Sequence, residues 1–152
     1  MTTSSSRVQS LTRIQTSRFG ALEVTAERIF RFPECVLGFP GLHEYAVLEN
    51  ESSSPFEWLQ CCDEPSLAFV ICNPQQFKPD YRLRVKRNDL ASIEMQEPEE
   101  GRVAVILVIP RQPARMTANL RGPLVFNLKA RLAKQVVLLG EEYTTKHRVF
   151  PD

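Results

Sequence analysis

The chain has 152 residues, of which 43% are hydrophobic and 24% charged, and such values are typical of one globular domain. Lys and Arg number 19 and Asp and Glu 18, so the net charge of +1 is far below that of a dedicated nucleic-acid-binding domain. We find no secretory signal, and the longest apolar run, residues 103–109, is too short for a membrane helix of roughly twenty residues. We therefore expect a soluble cytoplasmic protein with neither a membrane nor nucleic acid as a direct partner.

The first half of the chain alternates short apolar runs with turn residues. Residues 1–13 are rich in Ser and Thr and are predicted to form a flexible tail, so the β domain should span residues 14–152. A hairpin-like start is expected around Gly20. The next predicted strands are residues 29–32, 45–48, 56–62 and 67–72.

Residues 81–86 alternate strictly between apolar and basic side chains. The apolar face would carry Tyr81, Leu83 and Val85, and the basic face would carry Arg82, Arg84 and Lys86. This period of two predicts a half-buried strand. Asn88 is then predicted to cap a short helix over residues 89–93.

Four further strands complete the pattern. The run of β-branched residues and Leu at 103–109, closed by Pro110, is typical of a strand buried on both faces. The other three are predicted at residues 117–120, 124–128 and 135–139. Many short strands with no βαβ alternation indicate a mainly β single domain, an antiparallel β-barrel-like fold or sandwich with one or two short helices.

The cysteines and histidines offer little chemistry. Without a secretory signal, Cys35, Cys61, Cys62 and Cys72 are expected to be reduced and buried as small apolar residues. A metal site is not expected, because there is no Cys-x-x-Cys and His43 and His147 are the only histidines. No cofactor motif is present, since the glycines are isolated and none forms a phosphate-binding loop.

A catalytic centre is also not predicted. A Ser or Cys nucleophile needs a positioned base, and neither histidine lies in a known nucleophile motif. We therefore interpret the chain as a binding protein and not an enzyme. A hydrolase that uses Cys61 or Cys62 with His147 is the weakest of the alternatives.

Charge is unevenly distributed along the chain. Residues 89–100 contain five acidic residues and no basic one, whereas residues 111–134 contain six basic residues and no acidic one. Such blocks can steer partners. Two solvated faces without function explain them equally well.

An ordered set of motifs over residues 14–150 resembles the FliW family of bacterial flagellar assembly factors. The matching stretches are Thr-Ser-Arg-Phe-Gly at 16–20, Ile-Phe-Arg-Phe-Pro-Glu at 29–34, Leu-Gly-Phe at 37–39, Ser-Pro-Phe-Glu-Trp-Leu-Gln at 54–60, Leu-Ala-Phe-Val at 67–70, Phe-Lys-Pro-Asp-Tyr at 77–81, Thr-Ala-Asn-Leu at 117–120, Pro-Leu-Val-Phe-Asn at 123–127, and residues 131–147. Each motif is weak by itself, but the ordered set is specific.

Four positions depart from the pattern of the family. Cys35 and Ala133 stand where the family usually has Gly, Gly122 stands where Ala is usual, and Lys146 replaces an Arg. Because a side chain with a Cβ resists positive φ, Cys35 predicts a loop of different shape. Lys146 would weaken a bidentate contact made there.

The resemblance implies a non-enzymatic switch between two protein partners. Proteins of this family bind the translational regulator CsrA and so relieve repression of flagellin mRNA. They also bind flagellin, which couples flagellin synthesis to export. The resemblance therefore predicts CsrA and flagellin as partners, with the free protein monomeric.

Two candidate surfaces follow from these partners. CsrA-type proteins carry basic RNA-binding surfaces, so an acidic patch would form a suitable docking site, and the candidates are Glu94, Glu97, Glu99 and Glu100. Flagellin's apolar segments would need an apolar groove. The candidates for that groove are Phe32, Phe39, Phe56 and Trp58, although a core position is the better interpretation for each.

Direct binding of single-stranded RNA is the alternative from another class. Arg82, Arg84, Lys86 and Arg87 form a basic stripe that could follow a phosphate backbone. However, Phe77 and Tyr81 flank the stripe instead of interleaving with it. A charged strand edge that resists aggregation is the simpler interpretation.

Overall fold

In the computed structural model, residues 11–50 and 54–150 are described. Within them the strands are β1 Leu11–Thr16, β2 Gly20–Thr25, β3 Ile29–Arg31, β4 Glu44–Glu49, β5 Glu57–Cys61, β6 Ala68–Cys72, β7 Arg102–Val108, β8 Thr117–Ala118, β9 Leu124–Asn127, β10 Leu132–Gln135 and β11 His147–Arg148. Short 3-10 helices lie at Ala26–Arg28, Pro74–Gln76, Arg87–Ile93, Pro98–Glu100 and Pro113–Arg115.

Seven of the strands close into a barrel. Their order is β7, β6, β5, β4, β3, β10 and β9, and β9 pairs back onto β7. Neighbours are antiparallel except β3 and β10, which are parallel. Strands β8 and β11 extend the sheet beyond β7. The predicted fold class, a mainly β barrel in a single domain, is confirmed.

Apolar side chains at alternate strand positions fill the barrel. Phe30 packs edge-on against Phe126 with ring centroids 5.0 Å apart, and Phe32 packs edge-on against Tyr45 at 5.1 Å. Leu59 from β5 is fully buried beside them. Because inward and outward positions alternate along each strand, the interior is a packed core and the outer face is left to contact other segments.

The β1–β2 hairpin covers part of the outer face. Ile14 and Val24 pack against Ala46 of β4, and the Ser17 amide donates to the carbonyl of Pro65 over 2.9 Å. Strand β1 begins at Leu11, so the last three residues of the predicted tail lie in this hairpin. Residues 1–10 of that tail lie outside the described residues.

A second core lies on the outer faces of β6, β7 and β9. Val105 and Leu107 of β7 are covered by Leu90 and Ile93 of the Arg87–Ile93 helix. This helix begins two residues before the predicted one. The Asp89 carboxylate accepts from the Lys86 amide over 3.1 Å, so the start of the helix is fixed by Asp89 and not by Asn88.

Two predicted strands are wrong. Residues 81–86 belong to no sheet, although their exposure alternates as predicted. The strand predicted at 135–139 instead ends at Gln135, as β10. The Val136 amide still donates to the Pro123 carbonyl over 2.8 Å, but Pro123 has no N–H with which to return the bond, and the ladder stops there.

The loop at Cys35 also differs from expectation. Cys35 adopts a φ of 63°, so it keeps the left-handed conformation that suits glycine, despite its Cβ. Its amide donates to the carbonyl of Phe32 over 3.0 Å, which closes a tight turn directly after β3. Cys35 therefore adopts the positive φ that its Cβ was expected to resist.

Candidate partner-binding surfaces

The four acidic candidates lie on one exposed stretch between the Arg87–Ile93 helix and β7. Glu94 follows the helix in the left-handed region with a φ of 61°, and Glu97, Glu99 and Glu100 belong to the next turn. All four are exposed, and none forms an ion pair within residues 11–50 and 54–150. These carboxylates face solvent, and their role in binding stays a prediction.

Glu100 differs from the other three. Its Oε1 accepts from the amides of Gln96 and Glu97 over 2.9 and 3.1 Å, and these bonds lower the pKa of its carboxyl. Glu100 therefore stabilises the turn that presents Glu97 and Glu99. A substitution of Glu100 would disturb the backbone as well as the charge.

The acidic stretch is attached to the barrel at defined points. The Asn127 side chain donates to the Ile93 carbonyl over 2.7 Å, and Lys134 Nζ donates to the Asp89 carbonyl over 2.6 Å. Ser92 donates to Glu34 over 2.5 Å, and this bond, with Lys134 nearby, lowers the pKa of the Glu34 carboxyl. These contacts hold the acidic residues in a fixed position relative to β9 and β10.

Phe32 does not line a surface groove. Its exposure is 0%, and its ring packs between Tyr45 and Phe126 inside the barrel. The core interpretation of Phe32 is correct and its place in a groove is excluded, because as the residue that follows β3 it points inward with Phe30, two positions earlier. Its Phe-Pro context marks the end of a core strand.

The other three aromatic candidates are half-buried but do not form one groove. Phe39 packs edge-on against Phe69 with centroids 5.2 Å apart, whereas Phe56 packs against the second core. Trp58 lies on the outer face of β5 under the β1–β2 turn, where the Arg18 guanidinium sits 4.2 Å from the centre of its ring. The structure thus separates residues that the sequence grouped together.

The arrangement needed for a cysteine hydrolase is absent from the described residues. Cys61 is buried in the barrel, and burial raises the pKa of the Cys62 thiol to about 12, so both stay protonated. His147 instead stacks on Phe77 with centroids 6.0 Å apart.

The sequence interpretation missed a different thiol–imidazole contact. The Cys35 Sγ lies 3.6 Å from Nδ1 and 3.8 Å from Nε2 of His43, and His43 Nδ1 donates to the Phe32 carbonyl over 2.8 Å. The eight-residue separation gave no signal for this contact, which depends on the turn at Cys35. It fixes the His43 ring against the end of β3.

The basic stripe is exposed but has no aromatic partner for nucleic-acid bases. Arg82, Arg84 and Lys86 face solvent, whereas Tyr81 is buried and donates its hydroxyl to the Leu120 carbonyl over 2.8 Å. The ring of Phe77 is stacked on His147 and is not free to stack on a base. Within the described residues, the stripe therefore lacks the stacking surface that single-strand binding uses.

An open groove runs along this stripe and was not predicted. It joins three depressions of about 750, 360 and 130 Å³. Leu83 lines the two larger depressions, Arg82 lines the two smaller ones, and Arg84 lines the largest and the smallest. Leu138 and Leu139 line the largest depression, and so do Asp89, Glu97 and Glu99, which bring the acidic stretch to the same groove. We call this feature the 81–86 groove. The one sequence signal for it is the apolar run after β10, which was assigned to a strand.

Neither a bilayer-spanning helix nor a metal-binding group occurs in the part of the chain that the structure describes. No helix there is long and apolar enough to cross a bilayer. No three His, Cys, Asp or Glu side chains in those residues are grouped as metal ligands.

Comparison with known proteins places these surfaces in a family. The family model described as FliW protein matches residues 13–149. The flagellar assembly factor FliW of Alkaliphilus metalliredigens is 39% identical over 140 residues, which cover 91% of this chain and 86% of that protein. The FliW of Heliobacterium modesticaldum is 40% identical over 139 residues, with 91% of each chain covered.

A solved structure agrees with this assignment. The crystal structure of the flagellar assembly factor FliW superposes with a TM-score of 0.84 at 33% identity, covering 93% of this chain and 99% of that one. The sequence and fold matches extend over the barrel and both outer cores. The chain therefore belongs to the FliW family of flagellar assembly factors.

Proposed function

We propose that this protein controls flagellin synthesis as a partner switch that binds CsrA and flagellin. The observation that carries the proposal is the family match over residues 13–149. CsrA bound to the protein is withheld from flagellin mRNA, and flagellin bound to the protein leaves CsrA free to repress. The proposed setting is the cytoplasm, where free flagellin and mRNA are both present, and the free protein is proposed to be a monomer.

A switch of this kind requires that the two binding events are linked. If flagellin lowers the affinity for CsrA by some factor, CsrA must lower the affinity for flagellin by the same factor. Titration with both partners measures this factor directly. A factor of one would mean that the partners bind independently, and the switch would fail even if both bind.

The acidic stretch is proposed to contact CsrA. Glu94, Glu97 and Glu99 are exposed and unpaired by any basic residue that the structure describes, so they can pair with a basic surface. Glu100 supports this contact through the turn that it stabilises. The proposed dock therefore has three outward charges and one structural carboxylate.

Trp58 is proposed to contact flagellin. It is half-buried and lies on the outer face of the barrel, so an apolar segment can reach it beside the β1–β2 turn. Phe39 and Phe56 remain candidates at other places on the surface. Phe32 is not proposed, because it lies inside the barrel.

Co-purification with CsrA and flagellin from the same bacterium tests the partners. The proposal predicts a complex with each protein separately, and loss of CsrA from its complex as flagellin is added. Failure to bind either protein would refute the proposed function. Binding of both at once without displacement would refute the switch alone.

Charge reversal tests the proposed CsrA dock. Glu97→Lys with Glu99→Lys should weaken CsrA binding by roughly tenfold, which corresponds to about 1.4 kcal/mol, and should leave flagellin binding unchanged. The matched control is Glu23→Lys with Glu141→Lys, since both residues are exposed carboxylates outside the acidic stretch. Equal losses in the two double variants would show a general charge effect and reject this dock.

Direct RNA binding is tested separately. A gel-shift experiment with flagellin leader RNA and the purified protein, in the absence of CsrA, should show no tight complex at physiological salt. A tight complex that Arg84→Glu abolishes would favour the RNA-binding alternative. That result would replace the partner switch as the explanation of function.

A further inference from the structure

Cys35 and His43 form a thiol–imidazole pair directly after β3. The Cys35 Sγ lies 3.6 Å from Nδ1 and 3.8 Å from Nε2 of His43, and Nδ1 is also 2.8 Å from the Phe32 carbonyl oxygen. Because a carbonyl oxygen can only accept, Nδ1 carries a proton, and in the neutral ring Nε2 is then the acceptor. His43 Nε2 is therefore available to take the proton of the Cys35 thiol.

The backbone gives this pair a fixed position. The Phe32 amide donates to the His43 carbonyl over 2.7 Å, and the Cys35 amide donates to the Phe32 carbonyl over 3.0 Å. These bonds hold Cys35 at a φ of 63°, a conformation that a residue with a Cβ otherwise disfavours. The sulfur is thus placed against the His43 ring by the end of the barrel and not by a chance contact.

A buried hydroxyl without a partner lies close to the same sulfur. Tyr45 is 0% exposed, and its hydroxyl has no hydrogen-bond partner among the described residues. Burial raises the pKa of this hydroxyl, and the nearby sulfurs of Cys61 and Cys35 raise it further, so it stays protonated. A buried donor without an acceptor is unfavourable. An oxygen atom bonded to the Cys35 sulfur would supply that acceptor.

The other three cysteines lack this environment. Cys61 and Cys72 are buried, and burial raises the pKa of both thiols, that of Cys72 to about 11. Cys62 is half-buried like Cys35, but burial raises the pKa of its thiol to about 12. Since the thiolate is the reactive form, these three should be inert at neutral pH. Cys35 combines partial exposure with a neighbouring base.

We propose that Cys35 is a site of oxidation by small hydroperoxides, with His43 as its base and Tyr45 as the hydrogen-bond donor to the product. His43 Nε2 takes the thiol proton, and the sulfur attacks one peroxide oxygen, so an S–O bond forms as the O–O bond breaks. The sulfur is oxidised by two electrons to a sulfenic acid, and the peroxide is reduced. The leaving hydroxide or alkoxide takes the proton from the imidazolium and departs as water or an alcohol.

Other ligands suit this pair less well. Cys35 and His43 offer two metal ligands, and no third His, Cys, Asp or Glu is grouped with them in the part of the chain that the structure describes, whereas a structural zinc takes four. A bulky disulfide is disfavoured because the Cys35 thiol is half-buried. A hydroperoxide as small as hydrogen peroxide fits both the limited access and the unpartnered Tyr45 hydroxyl.

Trapping of the sulfenic acid in the full chain tests the proposal. The protein is treated with limiting hydrogen peroxide in the presence of dimedone, which forms a stable adduct with sulfenic acids, and the adducts are located by peptide mass spectrometry. Cys35 should be labelled at least about tenfold faster than Cys62, which is equally half-buried. Equal labelling, or no labelling of Cys35, would overturn the proposal. The comparison lies within one molecule, so it needs no variant that might fail to fold.

Two variants test the assigned roles. His43→Gln should slow the labelling of Cys35 at least about tenfold, because the base is lost. The matched control is His147→Gln, since His147 stacks on Phe77 and should leave the labelling rate unchanged. Tyr45→Phe should shorten the lifetime of the sulfenic acid, measured by adding dimedone at increasing delays after the peroxide. An unchanged rate in His43→Gln, or an unchanged lifetime in Tyr45→Phe, would overturn the proposal.

Oxidation of Cys35 goes beyond the partner switch, and the two proposals fail separately. Labelling is measured on the free protein, so it is unaffected if CsrA and flagellin do not bind. Conversely, both partners can bind while Cys35 stays unlabelled. His43→Gln and Glu97→Lys therefore test different sites.

Discussion

Strand β7 and residues 81–86 are both extended segments beside the same core, but only β7 belongs to the sheet. Strand β7 pairs with β6 on one edge and with β8 and β9 on the other. Residues 81–86 bury Tyr81 against the same core as Val105 and Leu107, yet pair with no strand. The difference shows that a buried face and a paired edge are independent properties of an extended chain.

This independence has a physical cause. Burial of one face depends on the alternation of the segment's own side chains, which is local. Pairing also needs a partner strand at about 4.8 Å with matching register, and closure of the barrel has used the edges of its seven strands. Residues 81–86 therefore lie on the outer face of the barrel with an edge left open.

The largest expected effect comes from crowding the start of β7. A Cβ at Gly101 would lie 2.1 Å from the Phe126 carbonyl oxygen, which belongs to the barrel backbone and cannot move aside. Gly101→Ala should therefore lower the free energy of unfolding by about 3 kcal/mol, the upper end of the range for overpacking. Urea denaturation measures the change.

Gly122→Ala is the matched control. Its Cβ would lie 2.9 and 3.0 Å from the ends of the Asn119 and Gln135 side chains, which can shift. The expected loss is about 1 kcal/mol or less. If Gly101→Ala is no worse than Gly122→Ala, the close approach of β7 to β9 is not as the structure describes.

A smaller effect is expected where residues 81–86 are attached. Tyr143→Phe removes the acceptor of the Arg82 amide and should cost about 1 kcal/mol, with faster exchange at that amide. The control is Tyr45→Phe, because the buried Tyr45 hydroxyl has no hydrogen-bond partner among the described residues and its loss should be neutral or stabilising. Similar losses in both variants would contradict the role of Tyr143.

The smallest effect concerns the pH dependence of stability at the Arg87–Ile93 helix, which follows residues 81–86. The bond from Ser92 lowers the pKa of Glu34 below its usual 4.5, so the carboxylate contributes stability above that pH and loses it as the pH falls through the lowered value. Glu34 is half exposed, so Glu34→Gln should cost only a few tenths of a kcal/mol at pH 7 and less at pH 3.

Glu23→Gln provides the comparison for Glu34, since Glu23 is an exposed carboxylate on β2. It should change stability equally little at both pH values. A loss in Glu34→Gln that is as large at pH 3 as at pH 7 would show that the helix is held by packing and not by this carboxylate.

The barrel was largely predictable because its signals are local. The apolar run of β7 and the turn after β5 gave the strands, and the closed β fold followed from their number and spacing. The strand predictions failed where residues far away in the sequence determine where a strand ends. Pro123 ends the pairing of β10, and no pattern near Gln135 contains that information.

The candidate site was predictable only in part. Charge alone placed Glu94, Glu97 and Glu99 on the surface, since carboxylates are rarely buried without partners. The structural role of Glu100 depends on a turn that composition does not reveal. The aromatic candidates show another limit, because the sequence favoured the core for all four and did not separate the buried Phe32 from the half-buried Phe39, Phe56 and Trp58.

Residue-resolved amide exchange in the free protein most directly tests the contrast between the closed barrel and the open edge. The amides of Leu83 and Val85 should exchange close to the rate of an unstructured chain. Those of Val105 and Leu107, paired within the barrel, should exchange only through global unfolding. Equal protection of the two pairs would contradict the open edge at residues 81–86.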